Sequence, residues 1–241
     1  MTSDVRVEAS AVGTVLRPAG HGETVILYLP ANPGDGDGSA AAPGTATRLA
    51  ELTRATVVCG RYRSTFPAAL QDVHAAYRHC ATIGGAVVVA GERMGGGLAA
   101  ALLVRLRDSG SEPPRCSVLV SALLDLTMQA RSLRLHVSGD APVKITELRR
   151  RVADYAGGAM LTDPYLSPLY ANLHGLSPVQ LLVGGADPLL DDSLAFAARA
   201  ARSGVMVDLR VWPEANGLDA ATVTDMAGFI LSHRTAQLMA G

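Results

Sequence analysis

Val87-Val88-Val89-Ala90-Gly91-Glu92-Arg93-Met94-Gly95-Gly96-Gly97-Leu98-Ala99 is the stretch around which the rest of the chain is organised. A β-branched run, fit for a buried strand, breaks at Gly91 and resumes as an Ala/Leu helix from Gly95. Strand, sharp turn and helix form the frame of a nucleophile elbow, G-x-S-x-G, in which a serine is held out at a strained turn. Gly91 and Gly95 keep that frame, and its central position is Arg93.

Outward from the elbow, short apolar runs alternate with helical patterns. Strands are expected over residues 24–29, 55–59, 86–90, 117–121, 179–183 and 206–212. Helices are expected from about residue 44 to 54 and over 67–81, 95–108, 189–202 and 220–239. Inner strands that are apolar throughout imply an α/β fold: a mostly parallel central sheet with helices on both faces. Residues 5–10 and 11–16, alternating around Gly13, suit an antiparallel start to that sheet. Residues 31–44 read as a loop of Gly, Pro, Asp and Ala, and residues 125–176 as a long irregular section that could serve as a lid. No repeat or interdomain linker interrupts residues 1–241, which are expected to form one domain.

At 241 residues the chain can bury a core on both faces of a sheet. A formal net charge of −1 supplies no long-range field for nucleic acid or an anionic membrane, and neither is expected as a partner. Cys59, Cys80 and Cys116 are odd in number and widely spaced, so they read as core residues of a reducing compartment. No signal peptide and no apolar run of membrane-spanning length is seen, and the protein is expected to be soluble and cytoplasmic. Asp35-Gly36-Asp37-Gly38 has the opening of a calcium loop but lacks the later ligands and the closing glutamate; no metal or cofactor is expected.

Beyond the elbow, several segments resemble the bacterial esterases of the hormone-sensitive-lipase family, which have an α/β-hydrolase fold and an elbow reading G-D-S-A-G-G. Arg61-Tyr62-Arg63 followed by Phe66-Pro67-Ala68-Ala69-Leu70-Gln71-Asp72-Val73 resembles that family's D-Y-R…F-P-A-A-L-x-D. Ser121-Ala122-Leu123-Leu124-Asp125-Leu126 is similar to its S-P-x-x-D-L. Gly184-Gly185-Ala186-Asp187-Pro188-Leu189-Leu190-Asp191-Asp192-Ser193 resembles the stretch with the catalytic acid, and Val211-Trp212-Pro213-Glu214-Ala215-Asn216-Gly217 stands where the catalytic histidine belongs. The resemblance implies the family's fold from about Tyr28 onward, with Tyr62, Ser121 and Asp125 at scaffold positions. The family usually carries a helical N-terminal cap; here the chain starts almost directly with sheet, so a reduced cap is expected. The cavity would then be more open, or closed by a second copy in a homodimer.

Hydrolysis by this fold uses a nucleophile, a general base, an orienting acid and oxyanion-hole donors. Carried over position by position, the nucleophile's place holds Arg93, a permanent cation, and the base's place holds Asn216. Asp187 keeps the acid's place, and the oxyanion loop His-Gly-Gly-Gly appears as Pro30-Ala31-Asn32-Pro33. Arg93, Asp187 and Asn216 are therefore the candidate catalytic residues, and Ala31, Asn32, Glu92, Met94 and His136 the candidate substrate-binding ones. Arg93 either binds a carboxylate, enolate or carbonyl oxygen, or closes the old site by pairing with Asp187, with Glu92 as its second choice. On this reading ester hydrolysis is not expected. The expected function is that of a non-hydrolytic enzyme, a cyclase, isomerase, epimerase or lyase acting on a hydrophobic small molecule in specialised metabolism. The alternative is a non-catalytic pseudoenzyme that binds a ligand or acts as a scaffold.

Overall fold

Eight strands join in one sheet in the order β1-β2-β4-β3-β5-β6-β7-β8. They are β1 (Val5–Ser10), β2 (Gly13–Pro18), β3 (Val25–Leu29), β4 (Thr56–Gly60), β5 (Val87–Glu92), β6 (Ser117–Val120), β7 (Val179–Gly184) and β8 (Val207–Trp212). The structure is a computed structural model, and it describes residues 5–32, 44–135, 145–213 and 219–233. β1 and β2 pair antiparallel, β2 joins β4 antiparallel, and every pair from β4 to β8 is parallel. The alternating start and the apolar inner strands thus form the mixed sheet that their patterns imply.

The helices are α1 (Gly44–Thr53), α2 (Ala68–Ile83), α3 (Arg93–Asp108), α4 (Ser132–Leu135), α5 (Ile145–Ala156), α6 (Leu190–Arg202) and α7 (Ala220–Ser232). They cover the sheet in two layers. On one face Leu27, Leu29, Val89 and Leu119 pack with Val73 of α2, Leu102 of α3 and Phe196 of α6. On the other, Ile26, Tyr28, Val88 and Val118 pack with Leu49 of α1 and Met226 of α7. Successive strand residues go to opposite layers, and each fully buried Leu, Ile or Phe contributes about 1.5–3 kcal/mol from its removal from water.

Two expectations need correction. Helix α3 begins at Arg93, two residues before the expected start at Gly95, and β5 runs on to Glu92, so the elbow has no loop of its own. Residues 125–176, expected to be irregular, contain α5. Its apolar residues Ile145, Leu148, Val152, Tyr155 and Ala156 recur at helical spacing and pack on the first layer. The calcium-like run 35–38 and residues 234–239 of the expected last helix lie outside the described residues.

Candidate active site

Parallel strands deliver their connections to one edge of the sheet, where ligands of open α/β sheets bind. At that edge lies a cavity of about 740 Å³. Ala31 and Asn32 reach it from the end of β3, Tyr62, Ser64 and Thr65 from the end of β4, and Leu123 from the end of β6. Arg93 and Met94 come from the elbow, Pro188 and Leu189 from the segment before α6, and α5 supplies the opposite wall.

The elbow is a backbone construction. A Cβ on Gly91 would stand 2.4 Å from the Gly95 carbonyl oxygen, and one on Gly95 would stand 2.3 Å from that of Leu29. Only residues without side chains let the turn close and α3 start against the end of β3. The residue between them is forced into an unusual backbone state: Arg93 has φ +52°. Left-handed backbone at a non-glycine residue costs of order 1–3 kcal/mol and persists where surrounding structure imposes it.

The Arg93 guanidinium lies against Asp187, with Nη1 3.3 Å from Oδ2 and 3.4 Å from Oδ1. The expected ion pair is therefore present. Asp187 is wholly buried, whereas the Arg93 side chain keeps 32% of its surface exposed, toward the cavity it lines. The Leu189 N–H donates to Asp187 Oδ1 at 2.8 Å, while Oδ2 has no hydrogen-bond partner among the described residues. The first turn of a helix disfavours a cation by about 0.3–1 kcal/mol, and the adjacent carboxylate offsets this.

Glu92, proposed above as a ligand contact, does not line the cavity. Its Oε1 accepts the Tyr28 hydroxyl at 2.7 Å, on the layer under α1 and α7. Strand alternation sends residue 92 away from the side taken by the elbow. Burial and the Glu92 carboxylate push the Tyr28 phenol far above its ordinary value, so it stays a donor. Ala31, Asn32, Arg93 and Met94 all border the cavity, with Asp187 directly behind Arg93. Asn216 and His136 lie outside the described residues.

Several cavity residues were not foreseen. Tyr62, read as scaffold, lines the cavity and also donates to the Pro30 carbonyl at 2.6 Å. From α5 come Glu147, Leu148, Arg151, Asp154 and Tyr155. Hydrogen bonds from Arg150 and then Arg151 hold the Glu147 carboxyl down at about 2, so it is ionised at any ordinary pH. The helical period of 145–156 was the signal that would have revealed this wall. Beneath the cavity, the buried Asp192 ties α6 to the end of β6, its Oδ2 accepting the N–H groups of Leu124 and Asp125 at 2.9 and 3.0 Å. Burial pushes its carboxyl up to about 7 against the pull of those two bonds. No group of three or more potential metal ligands occurs among the described residues. No helix among them is long and apolar enough to cross a membrane.

Residues 37–216 match the family described by the alpha/beta hydrolase fold. An acetyl-hydrolase of Streptomyces hygroscopicus is 32% identical over 213 residues, covering 83% of this chain and 69% of that protein. An esterase of Acinetobacter venetianus is 34% identical over 127 residues, covering 52% of this chain and 42% of that protein. Esterase LipU of Mycobacterium tuberculosis is 32% identical over 154 residues, covering 60% of this chain and 52% of that protein. Among solved structures, a hormone-sensitive lipase from a metagenome library superposes with a TM-score of 0.89 at 29% identity, covering 97% of this chain and 86% of that chain. An esterase from the bacterial hormone-sensitive lipase family does so with a TM-score of 0.89 at 28% identity, over the same shares of the two chains.

These relatives overturn the functional expectation. They are named acetyl-hydrolase, esterase and lipase, so hydrolysis is the activity to which the likeness points, and neither the cyclase, isomerase or lyase reading nor the pseudoenzyme reading stands. The expectation that ester hydrolysis is absent rested on the missing serine, the asparagine at 216 and the altered loop 30–33.

Proposed function

The chain belongs to the family with the alpha/beta hydrolase fold, and from that premise we propose that it hydrolyses carboxylic esters in the cavity above the elbow, with water instead of a serine attacking the carbonyl. The observation that carries this reading is the placement of Arg93: held at φ +52° at the cavity floor, its guanidinium backed by a fully buried carboxylate. A guanidinium has five N–H donors, and among the described residues only Nη1 is engaged, by Asp187, which leaves the others to a ligand oxygen.

In the proposed reaction the ester carbonyl oxygen accepts from the free Arg93 donors, which draws the guanidinium from its long contact with Asp187. With the guanidinium drawn aside, water reaches the otherwise buried Asp187 Oδ2, attacks the carbonyl carbon and passes its proton to that oxygen. The oxyanion of the tetrahedral intermediate rests on the guanidinium. The bond to the alcohol oxygen then breaks, and the departing alkoxide takes the proton from Asp187, leaving acid and alcohol. Short acyl esters are the favoured substrates, in keeping with the acetyl-hydrolase among the relatives. Met94, Leu123, Leu148 and Leu189 offer the apolar wall that such a small molecule needs. Residues 125–176, with α5, act as the lid section of a single domain spanning residues 1–241. Three unpaired, buried cysteines, their thiols pushed up to about 12 by burial, fit a reducing, cytoplasmic location.

The test is turnover of p-nitrophenyl acetate and butyrate by wild type, Arg93→Met and Asp187→Asn. Turnover above buffer in wild type, reduced to background in both variants, is the expected result. Wild type indistinguishable from buffer on both esters, or Arg93→Met at the wild-type rate, would refute the reading.

A further inference from the structure

Tyr155 is 6% exposed, and its ring packs in the layer shared with α2, α3 and α6. It also borders the main cavity and a second, much smaller one beside it, and Met94 and Leu123 border both with it. Met94 is the neighbour of Arg93 in the elbow, so Tyr155 stands in the wall next to the guanidinium's own turn. The Phe66 N–H donates to the Tyr155 carbonyl at 2.8 Å, fastening the last turn of α5 to the connection that brings Ser64 and Thr65 into the cavity.

The hydroxyl is the anomaly. Tyr28 donates to Glu92, Tyr62 to the Pro30 carbonyl, Tyr77 to the Glu112 carbonyl and Tyr165 to Asp108, and Tyr170 meets Thr127. Tyr155 alone among the tyrosines has a hydroxyl with no partner among the described residues. Its oxygen is not among the fully buried polar atoms that lack a partner, so the ring is buried while the hydroxyl stays accessible, on the wall of a cavity where a ligand oxygen can receive it. Burial alone pushes its phenol above the ordinary tyrosine value, so the group remains protonated and able to donate at every working pH.

We propose that the Tyr155 hydroxyl is a second donor, alongside the Arg93 guanidinium, to the oxyanion that forms when an ester carbonyl is attacked in this cavity. This assignment rests on the hydrolytic reading of the preceding subsection. It supplies from α5 the oxyanion donor that Pro30-Ala31-Asn32 replaces poorly at the end of β3.

Tyr155→Phe keeps the ring and removes only the donor. The expected result is a fall in kcat of roughly 10²-fold with KM little changed, as for loss of one oxyanion donor. Binding gives a readout that does not need turnover. Methyl butylphosphonate, a tetrahedral anion, should bind the variant roughly ten- to a hundredfold more weakly than wild type. N-methylbutanamide, planar and neutral, should bind both alike, and the thermal midpoint should not fall. A merely structural tyrosine would lower the midpoint and leave the two ligands undistinguished. Phosphonate binding that is absent in wild type or unchanged in Tyr155→Phe overturns the assignment. Ester turnover that ignores Tyr155→Phe does so too, while leaving the hydrolytic reading intact. Wild type with no turnover but Tyr155-dependent phosphonate binding would sink hydrolysis and keep the donor.

Discussion

At the floor of the cavity, a Cβ on Gly95 would stand 2.3 Å from the Leu29 carbonyl oxygen and 2.4 Å from that of Pro30. At the roof, α5 holds Glu147 with Arg150 and Arg151 in largely exposed ion pairs of 2.8–3.0 Å between residues three and four apart, with Glu147 and Arg151 also lining the cavity. The floor is set by backbone against backbone, with no freedom to yield. The roof is set by an apolar stripe and, among the described residues, a backbone bond from Phe66, and its charges are paired in water. Chemistry that needs a fixed atom belongs to the floor, where Arg93 sits; of the roof residues that line the cavity, Tyr155 is the buried member of the stripe.

Predictions that would break this contrast differ in size. Gly95→Val should be the most severe, destabilising by about 3 kcal/mol or more, because backbone carbonyls cannot move aside as side chains do. A soluble variant with a wild-type urea midpoint would show that the elbow is not held as described. Arg93→Ala comes next. It leaves the wholly buried Asp187 without its cation. Losing one partner of a buried pair costs roughly 3–5 kcal/mol, and the partial exposure of Arg93 lowers the expected loss to about 2 kcal/mol. Adding Asp187→Asn to Arg93→Ala should recover much of it in a double-mutant cycle.

Asp192 beneath the floor gives a pH dependence. Its carboxyl titrates near 7 in the folded protein, and unfolded aspartate titrates near 3.9, so between these values the folded state holds a proton that the unfolded state has lost. Stability therefore falls as pH rises through this window. From about pH 6 to about pH 8 the loss attributable to this group is about 1.4 kcal/mol. Wild type should lose that much more than Asp192→Asn in paired urea titrations; equal slopes would contradict the buried, proton-holding carboxylate. The smallest effect belongs to the roof. Glu147→Gln and Arg150→Gln should leave the thermal midpoint where it was, since exposed ion pairs contribute little. A large drop in either would erase the distinction between the two walls.

The same contrast explains what could be read from the residues alone. The floor was legible because its constraints are written in residue types: glycines at 91, 95, 96 and 97, a β-branched strand before them and an Ala/Leu helix after. The Arg93–Asp187 pair followed from the family resemblance, which sets the acid's place one imidazole away from the nucleophile's place that Arg93 fills. The roof was not legible as a wall. Its stripe of Ile145, Leu148, Val152 and Tyr155 is carried by a helix rich in arginine, so polarity masked the period. Glu92 was misplaced because adjacency to Arg93 in sequence says nothing of face, and a strand end sends neighbours to opposite sides. Function was misjudged because the residues at 93, 216 and 30–33 were weighed against the hydrolytic triad alone, whereas the relatives are named acetyl-hydrolase and esterase.

The account turns on whether ester cleavage here proceeds without an acyl-enzyme. The direct measurement is rapid mixing of wild-type protein with excess p-nitrophenyl acetate, followed by intact mass of the quenched protein. The account predicts nitrophenol release that is linear from the start, an unmodified protein mass and a rate that disappears in Arg93→Met. A burst matching the protein concentration with an acetylated mass, or no release above buffer, would contradict it.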